Sequence, residues 1–130
     1  MRKNNKSNDG MLRPEVQDKR TGLSWISVGG TTVRTVVLDC GLHCARCPVT
    51  GHADILKIKI SYECTGKAIE TGSLWRYLMN LDDLRISHEQ LHNLILEDLT
   101  RAFSKGIQGI KVAVEYVPRG GIAVSVAGRV

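Results

Sequence analysis

The chain has 130 residues, which is enough for one domain with a modest core and too few for two. Hydrophobic residues make up 42% and charged residues 24%, ordinary values for a globular protein. No apolar run approaches the length of a bilayer span, and no hydrophobic signal region follows the polar first residues. These features exclude transmembrane and secreted classes, so we expect no membrane partner, a cytoplasmic location and reduced thiols at the four cysteines.

The net charge of +5 and the pI near 9.2 favour a polyanionic partner. Much of the excess lies in residues 1–22, which carry no apolar period. We expect residues 1–22 to form a flexible basic leader and residues 23–130 to form the single domain. Charge alone leaves two interpretations of the leader open, a solvated tail and a nucleic-acid-binding arm.

Strand signals come first along the chain. Residues 24–38 have β character, with a turn at Gly29-Gly30, and residues 39–53 are expected to form an irregular loop. Apolar residues then alternate with polar ones over 56–62, which predicts a strand with one wet face. A second short strand is expected over 67–70.

Two helical stretches and a hairpin follow. The first helix has apolar residues at helical spacing after Ser73, and the second begins at Ser87, whose spacing to Gln90 fits a capping box and whose apolar stripe stops at Gly106. Alternation over 110–126, interrupted by a Pro-Arg-Gly-Gly turn, then predicts two hairpin strands.

The order β-β-α-α-β-β predicts an α+β fold, an antiparallel sheet with two helices on one face. A sheet this small leaves its edges open, and joining subunits into a ring would close them. We therefore expect a homo-oligomer.

One motif carries chemistry. Cys47 opens the string Cys-Pro-Val-Thr-Gly, and Asp54 follows seven residues later. A thiol held in such a turn can attack an electrophilic carbon, and a nearby carboxyl group can deliver the proton that the adduct needs. Further along, the pair His88-Glu89 adds a carboxylate that could bind a polar heterocycle.

Three segments together resemble the tunnelling-fold family of 7-cyano-7-deazaguanine reductases, the QueF enzymes, and their archaeosine-forming QueF-like relatives. The segments are Cys47 to Asp54, Glu70 to Trp75, and Ser87 to Glu89, and Pro118 to Ile122 continues the likeness. The resemblance implies a tunnelling fold, in which pentameric rings stack in pairs as a decamer.

The resemblance also implies roles for individual residues. Cys47 would be the nucleophile that forms a thioimide on the nitrile carbon, and Asp54 would donate a proton to the nitrile nitrogen. The expected substrate-binding residues are Glu70, Ser73, His88 and Glu89, with the two glutamates on the guanine-like edge and His88 at the pocket wall. Arg119 is either a phosphate contact or a turn residue.

The departures from the family pattern decide the expected reaction. Gly72 and Trp75 stand where the reductases place the two lysines that hold NADPH phosphates, and Ser87 replaces a Phe. We therefore expect an amidinotransferase that converts the nitrile base in tRNA, or in modified DNA, to the amidine, with ammonia as co-substrate and no cofactor. The alternatives are an NADPH-dependent nitrile reductase and a non-catalytic binder of the modified base.

The other cysteines leave further alternatives. Cys40, Cys44 and Cys47 have the spacing of a radical-enzyme iron–sulfur site, but a chain this short with this strand order cannot supply the barrel that such enzymes need. A zinc site from Cys40, Cys44, Cys64 and His43, or a reversible disulfide to Cys47, is chemically open. We expect no metal.

Overall fold

The structure, a computed structural model, describes residues 14–130. The elements within that range follow the order β1 (Glu15–Val16), β2 (Ser24–Ser27), β3 (Arg34–Arg46), β4 (Ala53–Cys64), β5 (Lys67–Ile69), α1 (Thr71–Met79), α2 (His88–Phe103), β6 (Gln108–Arg119) and β7 (Ile122–Arg129). The α+β class predicted from the sequence is confirmed.

A four-stranded antiparallel sheet with the order β3-β4-β6-β7 forms the centre of the fold. Its inner face is apolar because β4 and β6 alternate as predicted, with Leu56, Ile58 and Val114 buried and Lys57 and Lys59 exposed. The register between β4 and β6 aligns Ile58 with Val114, so the buried side chains of both strands share this face.

Both helices supply buried side chains to the core. The second begins where the sequence predicts, because Ser87 accepts from the Gln90 N–H at 3.2 Å and the Gln90 side chain accepts from the Ser87 N–H at 3.2 Å. Its apolar stripe is buried, and Ile95 and Phe103 are fully so. This packing fixes the start of α2 over one end of the sheet.

A second sheet, of three strands in the order β1-β2-β5, was not predicted. The strand β2 pairs with β5 at Trp25 and Ile69, so the expected turn at Gly29-Gly30 does not join β2 to β3 as a hairpin. Residues 14–22 also differ from the expected flexible leader, because β1 pairs with β2 and Asp18 accepts from Arg101 at 2.8 Å. Residues 1–13 of that leader lie outside the described range.

The irregular loop predicted over 39–53 is wrong for its first half. Strand β3 continues to Arg46 and pairs with β4 throughout, interrupted by a β-bulge between Asp39 and Leu42. Gly41 adopts a φ of 75° in the bulge, a conformation that glycine reaches without strain. Beyond the bulge, His43 and Ala45 are buried on the inner face.

Two further observations bear on partners. No helix in residues 14–130 is long and apolar enough to cross a membrane. Strands β3 and β7 lie at the two edges of the larger sheet, and each pairs with a neighbour on one side in the part of the chain described.

Candidate active site

The turn that follows β3 holds Cys47. The Cys47 N–H donates to the His52 carbonyl at 2.9 Å, and the Gly51 N–H donates to the Cys47 carbonyl at 2.8 Å. Gly51 has a φ of 76°, which closes this turn in a conformation that a side chain would strain. The thiol is therefore held on a tight loop between the edge strand β3 and the central strand β4, at a residue that is half-buried.

The environment of Cys47 favours the thiolate. The Thr50 hydroxyl, the Thr50 and Val49 N–H groups and the Arg119 guanidinium lower the pKa of Cys47 from its usual value to about 7. Burial instead raises the pKa of Cys40 to about 11, and it also raises the pKa of Cys44. Of these three thiols, Cys47 alone is poised as a nucleophile near neutral pH.

Asp54 is the second residue of β4, directly after the Cys47 turn, and its side chain is 10% exposed. Its carboxylate lies near an imidazole and a guanidinium: His88 Nε2 is 3.9 Å from Oδ2, and Arg119 Nη1 is 3.7 Å from Oδ1. Because Arg119 also stabilises the Cys47 thiolate, one guanidinium joins the thiol to the carboxylate. The sequence-predicted residues Cys47, Asp54, His88 and Arg119 therefore come together in one place.

A cavity of about 170 Å³ lies beside this group, lined by Asp54, His88, Tyr116, Val117, Arg119, Ile122 and Val124. The Tyr116 ring packs against His88 with centroids 4.1 Å apart. Burial, with the nearby Asp54 and Glu89 carboxylates, raises the pKa of Tyr116 to about 12, so its hydroxyl stays protonated at neutral pH. The cavity thus combines an apolar wall with an acid, an imidazole and a phenol.

Glu89 is exposed in the first turn of α2, beside His88. Its charge acts on Tyr116, so it belongs to the same region as the cavity. Its exposed carboxylate has oxygens that can accept N–H groups from a bound heterocycle.

Glu70 and Ser73 do not join this group within one chain. Glu70 caps α1 by accepting from the Gly72 and Ser73 N–H groups, and the buried Ser73 hydroxyl donates to the Glu70 carbonyl at 2.7 Å and accepts from the Ser24 N–H at 3.0 Å. The preceding Ile69 donates to the hydroxyl of Tyr62. Eight residues of β4, on the order of 25 Å of strand, separate Tyr62 from Asp54.

The ligands of the alternative zinc site are also separated. Cys64 pairs with Arg34 and Cys44 with Ile55, at opposite ends of the β3–β4 ladder. Ten residues of β3, about 30 Å, lie between those two positions. Within residues 14–130 no three His, Cys, Asp or Glu side chains are grouped so as to hold a metal ion.

Two residues of the site escaped sequence reasoning. The sequence shows Thr50 only as one residue of the Cys-Pro-Val-Thr-Gly motif, whereas in the structure its hydroxyl is the main stabiliser of the Cys47 thiolate. Tyr116 had only the signal of an apolar position on an alternating strand, and that signal predicts core packing rather than a place in a cavity.

Comparisons with known proteins show which family this chain resembles. A family model described as QueF-like protein matches residues 53–130, more than half of the chain. The chain is 38% identical over 94 residues to the NADPH-dependent 7-cyano-7-deazaguanine reductase of Frankia casuarinae, covering 72% of this chain and 74% of that protein. It is 35% identical over 89 residues to the protein of the same name from Bacteroides fragilis, covering 68% of this chain and 58% of that protein.

Other relatives are spanned less completely. The match to the Prochlorococcus marinus reductase is 34% over 79 residues and covers 61% of this chain and 57% of that protein. The chain thus matches less than two thirds of the length of the Bacteroides and Prochlorococcus proteins.

The fold has a counterpart among solved structures. The apo crystal structure of an archaeosine synthase, QueF-Like, superposes with a TM-score of 0.57 at 17% identity, covering 77% of this chain and 94% of that one. At that identity the likeness establishes the fold and leaves the reaction open. With the family model matching from Ala53 to the end of β7, the chain belongs to the QueF-like family.

Proposed function

We propose that this protein converts the nitrile of a 7-cyano-7-deazaguanine nucleotide in tRNA, or in modified DNA, to an amidine. The observation that carries the nitrile chemistry is the Cys47 thiolate, stabilised by Thr50 and Arg119 beside the Asp54 carboxyl group. The relatives named above act, by their names, on 7-cyano-7-deazaguanine, and the structural neighbour is named for archaeosine synthesis.

The first step is addition of Cys47 to the nitrile. The thiolate sulfur bonds to the nitrile carbon, one π bond of the C≡N group breaks, and the nitrogen takes a proton from Asp54 to give a thioimide. The second step is addition of ammonia to the same carbon. One N–H proton of the added ammonia returns to Asp54, the C–S bond breaks, Cys47 leaves as a thiolate, and the neutral amidine remains. Nothing is oxidised or reduced, so neither step needs a redox cofactor.

By the family resemblance, two lysines of the reductases hold the NADPH phosphates at the positions of Gly72 and Trp75. The residues that this chain has at those positions on α1 do not fit that role. Gly72 has no side chain, and a Cβ added there would lie 2.6 Å from Glu70 Oε1. Trp75, 61% exposed, offers an indole with no positive charge. The neighbouring Arg76 is 3.9 Å from the Glu70 carboxylate, so its charge is partly neutralised. This departure favours ammonia over hydride as the second reactant.

Recognition of the base would use groups from two regions. Glu89, exposed at the start of α2, is placed to accept N–H groups of the amino-pyrimidinone, with His88 and Tyr116 forming the wall. Glu70 and Ser73 lie near the far end of β4 from Asp54, so any part they take in binding would come from a neighbouring subunit. Strands β3 and β7 offer open edges through which subunits could close a ring, and pentameric rings paired as a decamer remain our expectation.

A second candidate is the NADPH-dependent nitrile reductase, which would turn the same thioimide into an aminomethyl group. It is favoured by the names of the Frankia, Bacteroides and Prochlorococcus relatives, which are 34–38% identical to this chain. In that case another cation, such as Lys67, Arg76 or Arg85, would have to replace the charge missing at Gly72 and Trp75.

The deciding experiment is mass spectrometry of the products. The nitrile base is supplied free and within tRNA, with ammonium and NADPH both present. We expect a mass increase of one ammonia on the base, with NADPH unconsumed. An aminomethyl product formed with consumption of NADPH would overturn the proposal in favour of the reductase.

A further inference from the structure

Three arginines surround the Cys47 turn, and the proposed chemistry uses only one of them. Arg119 stabilises the thiolate, whereas the guanidinium groups of Arg46 and Arg85 lie at Gly51 in the same turn. Arg46 Nη1 donates to the Gly51 carbonyl at 3.2 Å, and a Cβ added at Gly51 would lie 2.7 Å from Arg85 Nη2. Two guanidinium groups therefore lie against the loop that carries the nucleophile.

These two arginines are held side by side by the backbone. The Arg46 N–H donates to the Leu84 carbonyl at 2.9 Å, and the Ile86 N–H donates to the Arg46 carbonyl at 3.1 Å. Together they form an isolated parallel bridge between Arg46 and Arg85. The pair therefore belongs to the same framework as the Cys47 turn and keeps a fixed place relative to it.

The charges of the three arginines are not equally compensated. Arg119 is 3.7 Å from Asp54 and Arg46 is 3.5 Å from Asp83. The exposed Arg85 side chain forms no ion pair with a carboxylate in residues 14–130. A guanidinium left uncompensated beside a reactive thiol is suited to bind an anion that accompanies the substrate.

The chemistry of the base indicates what that anion is. In a 7-cyano-7-deazaguanine nucleotide, the carbon that bears the nitrile and the nitrogen that bears the sugar belong to the same five-membered ring and are separated by one ring carbon. With the nitrile carbon at Cys47, the sugar therefore lies within the width of that ring from the thiol, and the phosphates attached to the sugar are within reach of side chains on the Cys47 turn.

We propose that Arg85, supported by Arg46, binds a backbone phosphate next to the target nucleotide, so that the preferred substrate is a polynucleotide rather than the free base. This inference rests on the proposed function. Arginine binds phosphate oxygens with two parallel N–H bonds, and each such contact adds to the salt dependence of binding.

Binding is measured first, with Cys47→Ala as the background so that no adduct forms. The probe is a short single-stranded oligonucleotide carrying one nitrile base, titrated at several salt concentrations with and without Arg85→Gln. We expect Arg85→Gln to weaken binding roughly 5- to 20-fold and to lower the slope of log K against log salt by about one. Arg76→Gln on α1 is the matched control and should leave both quantities unchanged.

Reactivity is measured next, with Cys47 intact and intact mass as the readout of the thioimide. Arg85→Gln should form the adduct on the free base at the wild-type rate and should lose rate only on the oligonucleotide at limiting concentration. Equal binding by Arg85→Gln and its background would overturn the inference, as would an equal loss on the free base. Failure of the proposed function would look different, because the wild-type protein would then either form no adduct with either substrate or, with ammonium and NADPH present, give an aminomethyl product in place of the amidine.

Discussion

The Arg119 guanidinium lies 3.7 Å from the Asp54 carboxylate, measured from Nη1 to Oδ1. The same guanidinium stabilises the Cys47 thiolate, so a single cation borders both groups of the proposed addition step. Arg119 stands at the end of β6, and Cys47 stands on the turn between β3 and β4. The site therefore depends on the register of the sheet that brings these turns together.

The pH profile of thiol alkylation should report this arrangement. With its pKa lowered to about 7, Cys47 should react with iodoacetamide at a rate that rises through pH 7 and then levels off, because only the thiolate attacks. Removing a thiolate stabiliser must raise the pKa. Thr50→Val and Arg119→Gln should therefore shift the profile to higher pH and slow the reaction at pH 6 by roughly two- to tenfold.

Peptide mapping supplies the control for that measurement. The raised pKa values of Cys40 and Cys44 predict that both remain unlabelled at pH 7 while Cys47 is modified. Thr65→Val, in the turn at the far end of β4, should leave the profile unchanged. A Cys47 midpoint near the usual pKa of a thiol would contradict the assigned environment.

Asp54→Asn should separate binding from chemistry. The amide keeps the size of the side chain but cannot supply the carboxyl proton, so thioimide formation should slow by roughly 10²- to 10⁴-fold. Affinity for the base should stay within a few-fold of wild type. Intact mass against time gives the rate, and titration of the nitrile base in a Cys47→Ala background gives the affinity; a large loss of affinity would assign Asp54 to binding instead.

Tyr116→Phe should not lower the free energy of unfolding. The Tyr116 hydroxyl is buried and has no hydrogen-bond partner within residues 14–130, so its removal relieves an unsatisfied group. Tyr62→Phe is the matched comparison, because the Tyr62 hydroxyl accepts from the Ile69 N–H at 3.0 Å. Urea denaturation should show Tyr62→Phe less stable by about 1–3 kcal/mol, and equal losses for both variants would refute the assignment.

Gly51→Ala should destabilise the Cys47 turn. Alanine at this position would have to adopt a φ of 76°, and its methyl group would lie 2.7 Å from Arg85 Nη2. The backbone cost alone is about 1–2 kcal/mol. Gly30→Ala is the matched control, because its φ of 85° is similar and nothing lies within 4 Å. The Arg85 guanidinium is the far end of an exposed side chain and can move aside, so urea denaturation should show similar losses for the two variants. A larger loss for Gly51→Ala that Arg85→Ala removes would contradict this expectation.

The sequence predicts those elements whose pattern is local. The alternation across 56–62 and the Ser87–Gln90 capping box place β4 and α2 correctly, because burial on one face and capping leave direct marks in neighbouring residues. Strand β3 is missed beyond residue 38, since the bulge breaks its alternation. The pairing of β2 with β5 joins residues that are 40 to 44 positions apart, which no turn signal encodes.

Some residues of the candidate site are likewise predicted from local sequence, and others are not. Motif spacing identifies Cys47 and Asp54 as candidates, and the structure places them on neighbouring segments. Motif spacing cannot show that Arg85 lies beside Gly51, because that contact depends on the short bridge between residue 46 and residue 85. The separation of Glu70 from Asp54 along β4 is equally invisible before the strands are paired.

The bulge in β3 gives that strand one residue more than its partner. Before it, the even-numbered Val36 and Leu38 pack toward the core; after it, the odd-numbered His43 and Ala45 do so. Cys40 and Gly41 together stand opposite Ile58, because Asp39 pairs with Lys59 and Leu42 pairs with Lys57. Deleting Gly41 alone would leave one residue opposite Ile58, so both halves of β3 would keep their pairing and the Cys47 turn would keep its place. The number of residues between the first half of β3 and the cysteine motif can therefore change by one without moving the nucleophile.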